Sequence, residues 1–254
     1  MNEGVSLGGN LSEAVRVGDT IRRRTGPWTP AVHALLRHLE AVGFEVSPRV
    51  LGIDEQGREM LRYIEGDGPT GWPDPMPEYT WSERSLVAAA KLLRRYHDAL
   101  DGFITPAGAR WRINSPETEV IRHNDVAPFN SVFRDGEPIA MVDFDLAGPG
   151  RRIWDVAVGL WRWVPVSTGP TRYPRNVAER VRLFCDAYGL GSERAGVIDV
   201  LIARMGELRA FARREAARGD PGFVKILSWF PDDSFLVENI AFVEARRNEL
   251  SADL

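Results

Sequence analysis

The stretch that most constrains this chain runs from Val120 to Trp163, VIRHNDVAPFNSVFRDGEPIAMVDFDLAGPGRRIWDVAVGLWRW. In it His123-x-Asp125 is followed five residues on by Asn130, two apolar runs flank Asp135-Gly136, and the second run ends in Asp143-Phe144-Asp145. A further acid, Asp155, lies just beyond a Gly/Pro-rich turn. An Asp-Gly pair between apolar runs predicts a tight hairpin, with Ser131–Arg134 against Ile139–Val142. That pairing returns Asn130 and Asp143 to the same open end, where one cation can meet both.

The chemistry that needs such a set is phosphoryl transfer, which requires a carboxylate to receive a hydroxyl proton and oxygen ligands to hold Mg²⁺ on nucleotide phosphates. The segment H-N-D-V-A-P-F-N has the spacing H-x-D-x-x-x-x-N of a kinase catalytic loop. By that spacing Asp125 orients the hydroxyl, and Asn130 and Asp143 bind the metal. With V-D-F-D and W-D-V-A following at matching gaps, the chain resembles the aminoglycoside phosphotransferase family, the small-molecule branch of the protein-kinase-like fold.

The resemblance implies an α+β, two-lobed kinase-like fold. Residues 1–66 would form a nucleotide-binding lobe with a small antiparallel sheet, and residues 67–254 a mainly helical lobe carrying the catalytic loop and the acceptor site. It implies Mg²⁺, ATP or GTP as co-substrate, and a small hydroxylated acceptor, an antibiotic among the candidates. It also implies structural roles for Asp155, which would steady the catalytic loop by accepting backbone N–H bonds, and for His123. Asp145 is left between a second metal contact and a loop hydrogen bond. The alternative from another class is a non-catalytic kinase-like immunity or binding protein that sequesters a toxin or antibiotic.

Composition narrows the classes. The chain has 254 residues, 44% hydrophobic and 27% charged, enough for an ample core. A formal net charge of −4 gives no general basic surface for nucleic acid. One cysteine, Cys185, excludes an internal disulfide framework and suits a reducing cytoplasm; its setting R-L-F-C-D-A-Y predicts a core thiol. No signal-peptide pattern, apolar run of membrane-spanning length or internal repeat is present, so no membrane partner is expected; monomer and homodimer stay open.

In chain order, Gly8-Gly9-Asn10-Leu11-Ser12 separates two short apolar runs, and the resemblance places this loop, with Ser12, over the nucleotide. Thr20–Arg24 follows as a strand, on which Arg23 is the expected phosphate-pairing cation and Arg22 the runner-up. Thr29-Pro30 opens a helix to about Val42, with Thr29 as expected N-cap and Val32, Leu35, Leu36 and Leu39 inward. The family's helix carries an early Glu paired to the strand cation; here Ala31-Val32-His33 stands instead, so the pairing acid comes from elsewhere or the Arg is held by phosphate alone.

Strands are expected at Arg49–Ile53 and Glu59–Ile64, and Glu65-Gly66-Asp67-Gly68-Pro69 breaks the pattern. Tyr63 and Ile64 are the expected hinge residues against the base, or else an edge strand. After the Pro-rich linker Pro69–Pro77, Ser82 caps a helix from about Glu83 to Leu100, in which His97 reads as a core histidine. Trp154–Trp163 is expected to be helical, as are Asn176–Tyr188, Ser192–Arg218 and Asp233–Glu249, the last capped by Asp233 or Ser234. Trp161, Trp163, Glu238 and Asp233 are the candidates for an acceptor site. The run Arg209, Arg213, Arg214, Arg218 reads as a solvated face, or else as an attractor for an anionic acceptor.

Overall fold

The computed structural model describes residues 4–7, 14–69, 75–164, 166, 176–229, 233–252 and 254. Five strands, β1 (Val5–Ser6), β2 (Ala14–Val17), β3 (Thr20–Arg24), β4 (Val50–Ile53) and β5 (Arg58–Arg62), form one antiparallel sheet in the order β1-β2-β3-β5-β4. The register Arg23↔Glu59 between β3 and β5 sets a cation beside an acid on the same face.

Helix α1 (Thr29–Ala41) crosses between β3 and β4 and buries Val32, Leu35, Leu36 and Leu39. Its N-cap is Trp28, not the expected Thr29, which is already helical. The Thr29 hydroxyl instead accepts a hydrogen bond from the Gly26 N–H at 2.9 Å, closing the turn before the helix.

Past β5 the chain is clipped to the rest of the molecule. Asp67 and Phe133 exchange both backbone N–H···O bonds, at 2.8 and 2.7 Å. Gly66 makes this approach possible, because a Cβ there would lie 2.5 Å from the Phe133 carbonyl oxygen.

The remainder is mostly helical: α2 (Glu83–Ala99), α3 (Arg152–Trp163), α4 (Val177–Tyr188), α5 (Val197–Ala217), α6 (Pro221–Trp229), α7 (Ser234–Ala245) and α8 (Arg247–Leu250). The Ser82 side chain caps α2 by accepting from the Ser85 N–H, as its sequence predicts. Two short ribbons lie among the helices: β6 (Val120–Arg122) with β9 (Gly148–Gly150), and β7 (Ser131–Arg134) with β8 (Glu137–Met141). Asp135 and Gly136 both take positive φ, 52° and 76°, the conformation of a two-residue turn that matches strand twist. Leu93, Tyr96, Phe144, Leu160, Phe184 and Leu201 centre the core. No helix among the described residues is long and apolar enough to cross a membrane.

The tail differs from expectation in three places. The helix expected from Ser192 begins as a 3₁₀ turn, Ser192–Gly196, before α5. The helix expected over Asp233–Glu249 breaks at Arg246 into α7 and α8. Helix α6 was not anticipated, although Asp220-Pro221 signals it. The Asp220 carboxylate accepts from the N–H groups of Gly222 and Phe223, and Pro221 is the first helical residue.

Candidate active site

The site is built outward from Asp155, a fully buried carboxylate on the first turn of α3. It accepts the backbone N–H of His123 at 2.6 Å and of Asn124 at 2.8 Å, and a hydrogen bond from His97 Nε2 at 3.2 Å. His97 is in turn held through Nδ1 by the Tyr188 hydroxyl at 2.8 Å. Burial raises the Asp155 pKa, but the His97 hydrogen bond, with the neighbouring His123 and Arg122, outweighs it and holds the group below the ordinary carboxylate range. His97 is therefore a core histidine, as expected, and it also orients the carboxylate that holds the loop.

The loop needs that support, since Asn124 takes the left-handed conformation, φ 68°. Its side chain secures the turn, donating to the Leu146 carbonyl and accepting from Arg204 Nη2 at 2.7 Å. His123 Nε2 donates to the Val142 carbonyl at 3.0 Å, which ties the loop to the segment ahead of Asp143.

Asp125, Asn130 and Asp143 come together at the open end of the hairpin. Asn130 Nδ2 donates to Asp125 Oδ2 at 2.8 Å, and the Val142 N–H donates to the Asn130 carbonyl at 2.9 Å, setting Asp143 one residue from that pair. Burial pushes the Asp125 pKa up; Arg162 and His123 pull the other way, and Asp143 adds to the rise. Arg162, from the last turn of α3, brings Nη2 to 4.0 Å from Asp125 Oδ1 and stacks on Trp161 at 3.7 Å. Asp143 has φ 62° and a side chain about one-third exposed (32%).

Arg23 meets this group from the sheet. The guanidinium is 6% exposed and grips three carboxylates: Nε to Glu59 at 2.5 Å, Nη1 to Asp143 at 2.8 Å and Nη2 to Asp145 at 2.8 Å. Glu59 takes a second donor, His33 Nε2 of α1, at 2.8 Å. The pairing acid thus comes from β5, and α1 contributes a histidine behind it. Burial alone would lower the Arg23 pKa, yet the three carboxylates raise it well above the ordinary value. Burial raises Asp145 to about 6 despite Arg23, while Arg23 overcomes burial at Asp143 and holds it low. Arg22, the runner-up, points elsewhere and pairs with Asp54 at 3.1 Å.

The remaining candidates disperse. Ser12 and the glycine loop lie outside the described residues. Tyr63 follows the end of β5; its N–H donates to the Asp19 carbonyl at 2.8 Å and its ring carries the Arg16 guanidinium at 3.7 Å, while Ile64 is half-buried. Trp163 is 1% exposed and packs on Phe133 in the core. Trp161 is buried too, between Arg162 and Phe235 of α7. Glu238 is exposed on α7. Asp233 stands at the N-cap position of α7, as expected, but its side chain makes no capping hydrogen bond: the carboxylate is taken by Arg209 and Arg213, at 2.5 and 2.9 Å. Two members of the arginine run are therefore spent on an acid, and Arg214 and Arg218 both pair with Glu215.

Glu59, His33 and Arg162 were missed by sequence reasoning. Glu59 and His33 had a signal, the absence of an early Glu on α1, which demanded a substitute; Arg162 had none.

The donors suit a divalent cation. Among the described residues no three His, Cys, Asp or Glu side chains cluster as a self-sufficient metal centre. Asn130 spends its Nδ2 on Asp125, which leaves the amide oxygen as its acceptor arm, and Asp143 reaches partly into solvent. One carboxylate and one amide oxygen, completed by phosphate oxygens, is the way Mg²⁺ is commonly held.

Comparison with known proteins identifies the family and the fold. Residues 64–195 match the model of the phosphotransferase enzyme family (APH). A trifolitoxin immunity protein from Rhizobium leguminosarum bv. trifolii is 37% identical over 238 residues, covering 85% of this chain and 86% of its own. A choline/ethanolamine kinase family protein from Mesorhizobium loti is 20% identical with a TM-score of 0.55, over 94% of this chain and 92% of its own. ADP-bound aminoglycoside phosphotransferase APH(2'')-Ib is 12% identical with a TM-score of 0.57, over 98% and 95% of the two chains. The choline kinase of Cryptosporidium parvum reaches a TM-score of 0.60 at 10% identity, over 96% of this chain and 88% of its own. The fold is thus the kinase-like one, and the chain belongs to the phosphotransferase enzyme family.

Proposed function

We propose that this protein transfers the terminal phosphoryl group of ATP or GTP to a hydroxyl of a small molecule in the cytoplasm, with the nucleotide held between residues 1–66 and 67–254. The acceptor oxygen bonds to the γ-phosphorus as the bond to the β-phosphate oxygen breaks, releasing the nucleoside diphosphate. Asp125 orients the hydroxyl and receives its proton. Asn130 and Asp143 would hold Mg²⁺, which when bound neutralises phosphate charge. Arg23 supplies a second positive charge, and Tyr63 and Ile64 border the base. Most of the rate comes from positioning and electrostatics, because the transition state is loose.

The observation that carries this reading is the meeting of Asp143 with Asp125 and Asn130, the latter two on the loop anchored by Asp155. The test is phosphate transfer from labelled ATP and GTP to a panel of hydroxylated antibiotics and metabolites. Asp125→Asn should lower the rate by roughly 10²-fold or more while the melting temperature stays put, and Asp143→Ala should abolish transfer. Full activity in either variant overturns the assignment.

A second reading is favoured by the 37%-identical relative, which is named for immunity to a toxin. In it the chain protects by binding, with no transfer. Nucleotide that binds the folded state raises its melting temperature by mass action. No shift with Mg-ATP or Mg-GTP would favour this second reading.

A further inference from the structure

The D-F-D carboxylates already hold a cation. Nη1 of Arg23 lies 2.8 Å from Asp143 and Nη2 lies 2.8 Å from Asp145, while Nε is fastened to Glu59. Glu59 cannot readily let go, since its other oxygen accepts from His33, and both side chains are buried. The arm is therefore anchored at its root, and its two terminal nitrogens face the acids that flank Phe144. Arg112 adds positive potential at Asp145.

We infer that Arg23 is a resident counter-ion of the D-F-D carboxylates, which competes with a divalent cation for Asp143 and Asp145 until a nucleotide's phosphates take over its two terminal nitrogens. This inference rests on the metal role proposed above for Asp143. Two cations beside one carboxylate repel each other, strongly where water is scarce. A metal approaching alone meets that repulsion. A metal arriving on a nucleotide brings anionic oxygens that give the guanidinium a new partner, and Arg suits phosphate because its fork can bind two oxygens at once. Empty protein should then bind divalent cations poorly, and metal and nucleotide should bind with positive cooperativity.

The experiment titrates Mn²⁺ into the full-length protein without nucleotide and follows free Mn²⁺ by electron paramagnetic resonance. Wild type, Arg23→Gln, Arg23→Lys and Arg23→Gln/Asp143→Asn are compared. Arg23→Gln leaves Glu59, Asp143 and Asp145 without their shared counter-ion, and it should bind Mn²⁺ roughly tenfold tighter or better than wild type. Asp143→Asn in that background should remove the gain. A lysine keeps the charge, but its single ammonium cannot span three acids, so Arg23→Lys should show a smaller gain. Should Arg23→Gln fold only when Mn²⁺ is present, the same competition is read from its melting curve. If it fails to fold at all, Arg23→Lys decides.

Wild type binding Mn²⁺ as tightly as the Arg23 variants would overturn the inference, as would a gain that survives Asp143→Asn. Failure of the enzymatic reading looks different. Wild type would then transfer no phosphate, yet the Arg23 variants would still gain Mn²⁺.

Discussion

Two buried charge networks meet at this site and are built on opposite plans. Around Asp155 one carboxylate is surrounded by donors that are fixed in place: two backbone N–H groups and a histidine locked by Tyr188. Around Arg23 one cation is surrounded by three carboxylates on two separate parts of the chain, the sheet and the D-F-D segment. In the first arrangement both oxygens of the carboxylate accept hydrogen bonds. The second carries more negative than positive charge, and a cation or a phosphate can redistribute it. The two networks differ in the ratio of donors to acceptors, not in burial, which is nearly complete for both Asp155 and Arg23.

This contrast can be broken by experiment. Asp155→Ala orphans three donors at once and should cost about 3–5 kcal/mol in urea unfolding, with transfer lost alongside. Glu59→Gln keeps the shape and leaves Arg23 with two acids, so it should cost less, about 1–3 kcal/mol. Equal costs would mean that the Arg23 network is as much a scaffold as the Asp155 one. Asn124→Ala must hold an alanine at positive φ and strips a partner from Arg204, so about 1–2 kcal/mol is expected. A neutral result would show that the loop does not rely on its asparagine.

The smallest effect concerns acid. Burial raises the Asp233 pKa, but Arg209 and Arg213 outweigh it and hold the group below its ordinary value. Its contribution to stability is complete above the unfolded carboxylate pKa of about 4 and fades as pH falls through the folded value. Melting temperature followed from about pH 5 downward should therefore drop more gently in Asp233→Asn than in wild type. Parallel curves would remove Asp233 from the account.

What could be read in advance had short range. The spacing from His123 to Asn130, the Asp135-Gly136 turn and the return to Asp143 are local consequences of backbone geometry. The Ser82 cap is equally local. Errors arose where a local signal had a tertiary competitor. Thr29 reads as a cap, but its hydroxyl closes the preceding turn. Asp233 does stand at the N-cap of α7, but two arginines from α5 take the carboxylate that would have capped it. Trp163 follows the active segment closely, yet helical rotation points it into the core against Phe133.

By itself, then, the order of residues determined the His123–Asn130 loop, its hairpin and the family, because a turn type and a donor spacing are set within a few residues of backbone. Only the tertiary structure decided what Arg23 holds. Its partners stand 36, 120 and 122 positions away, and no periodicity reaches that far. Which acid answers a buried cation depends on the strands and loops that packing brings to it, because the cost of burying an unpaired charge is met by whichever carboxylate the fold delivers.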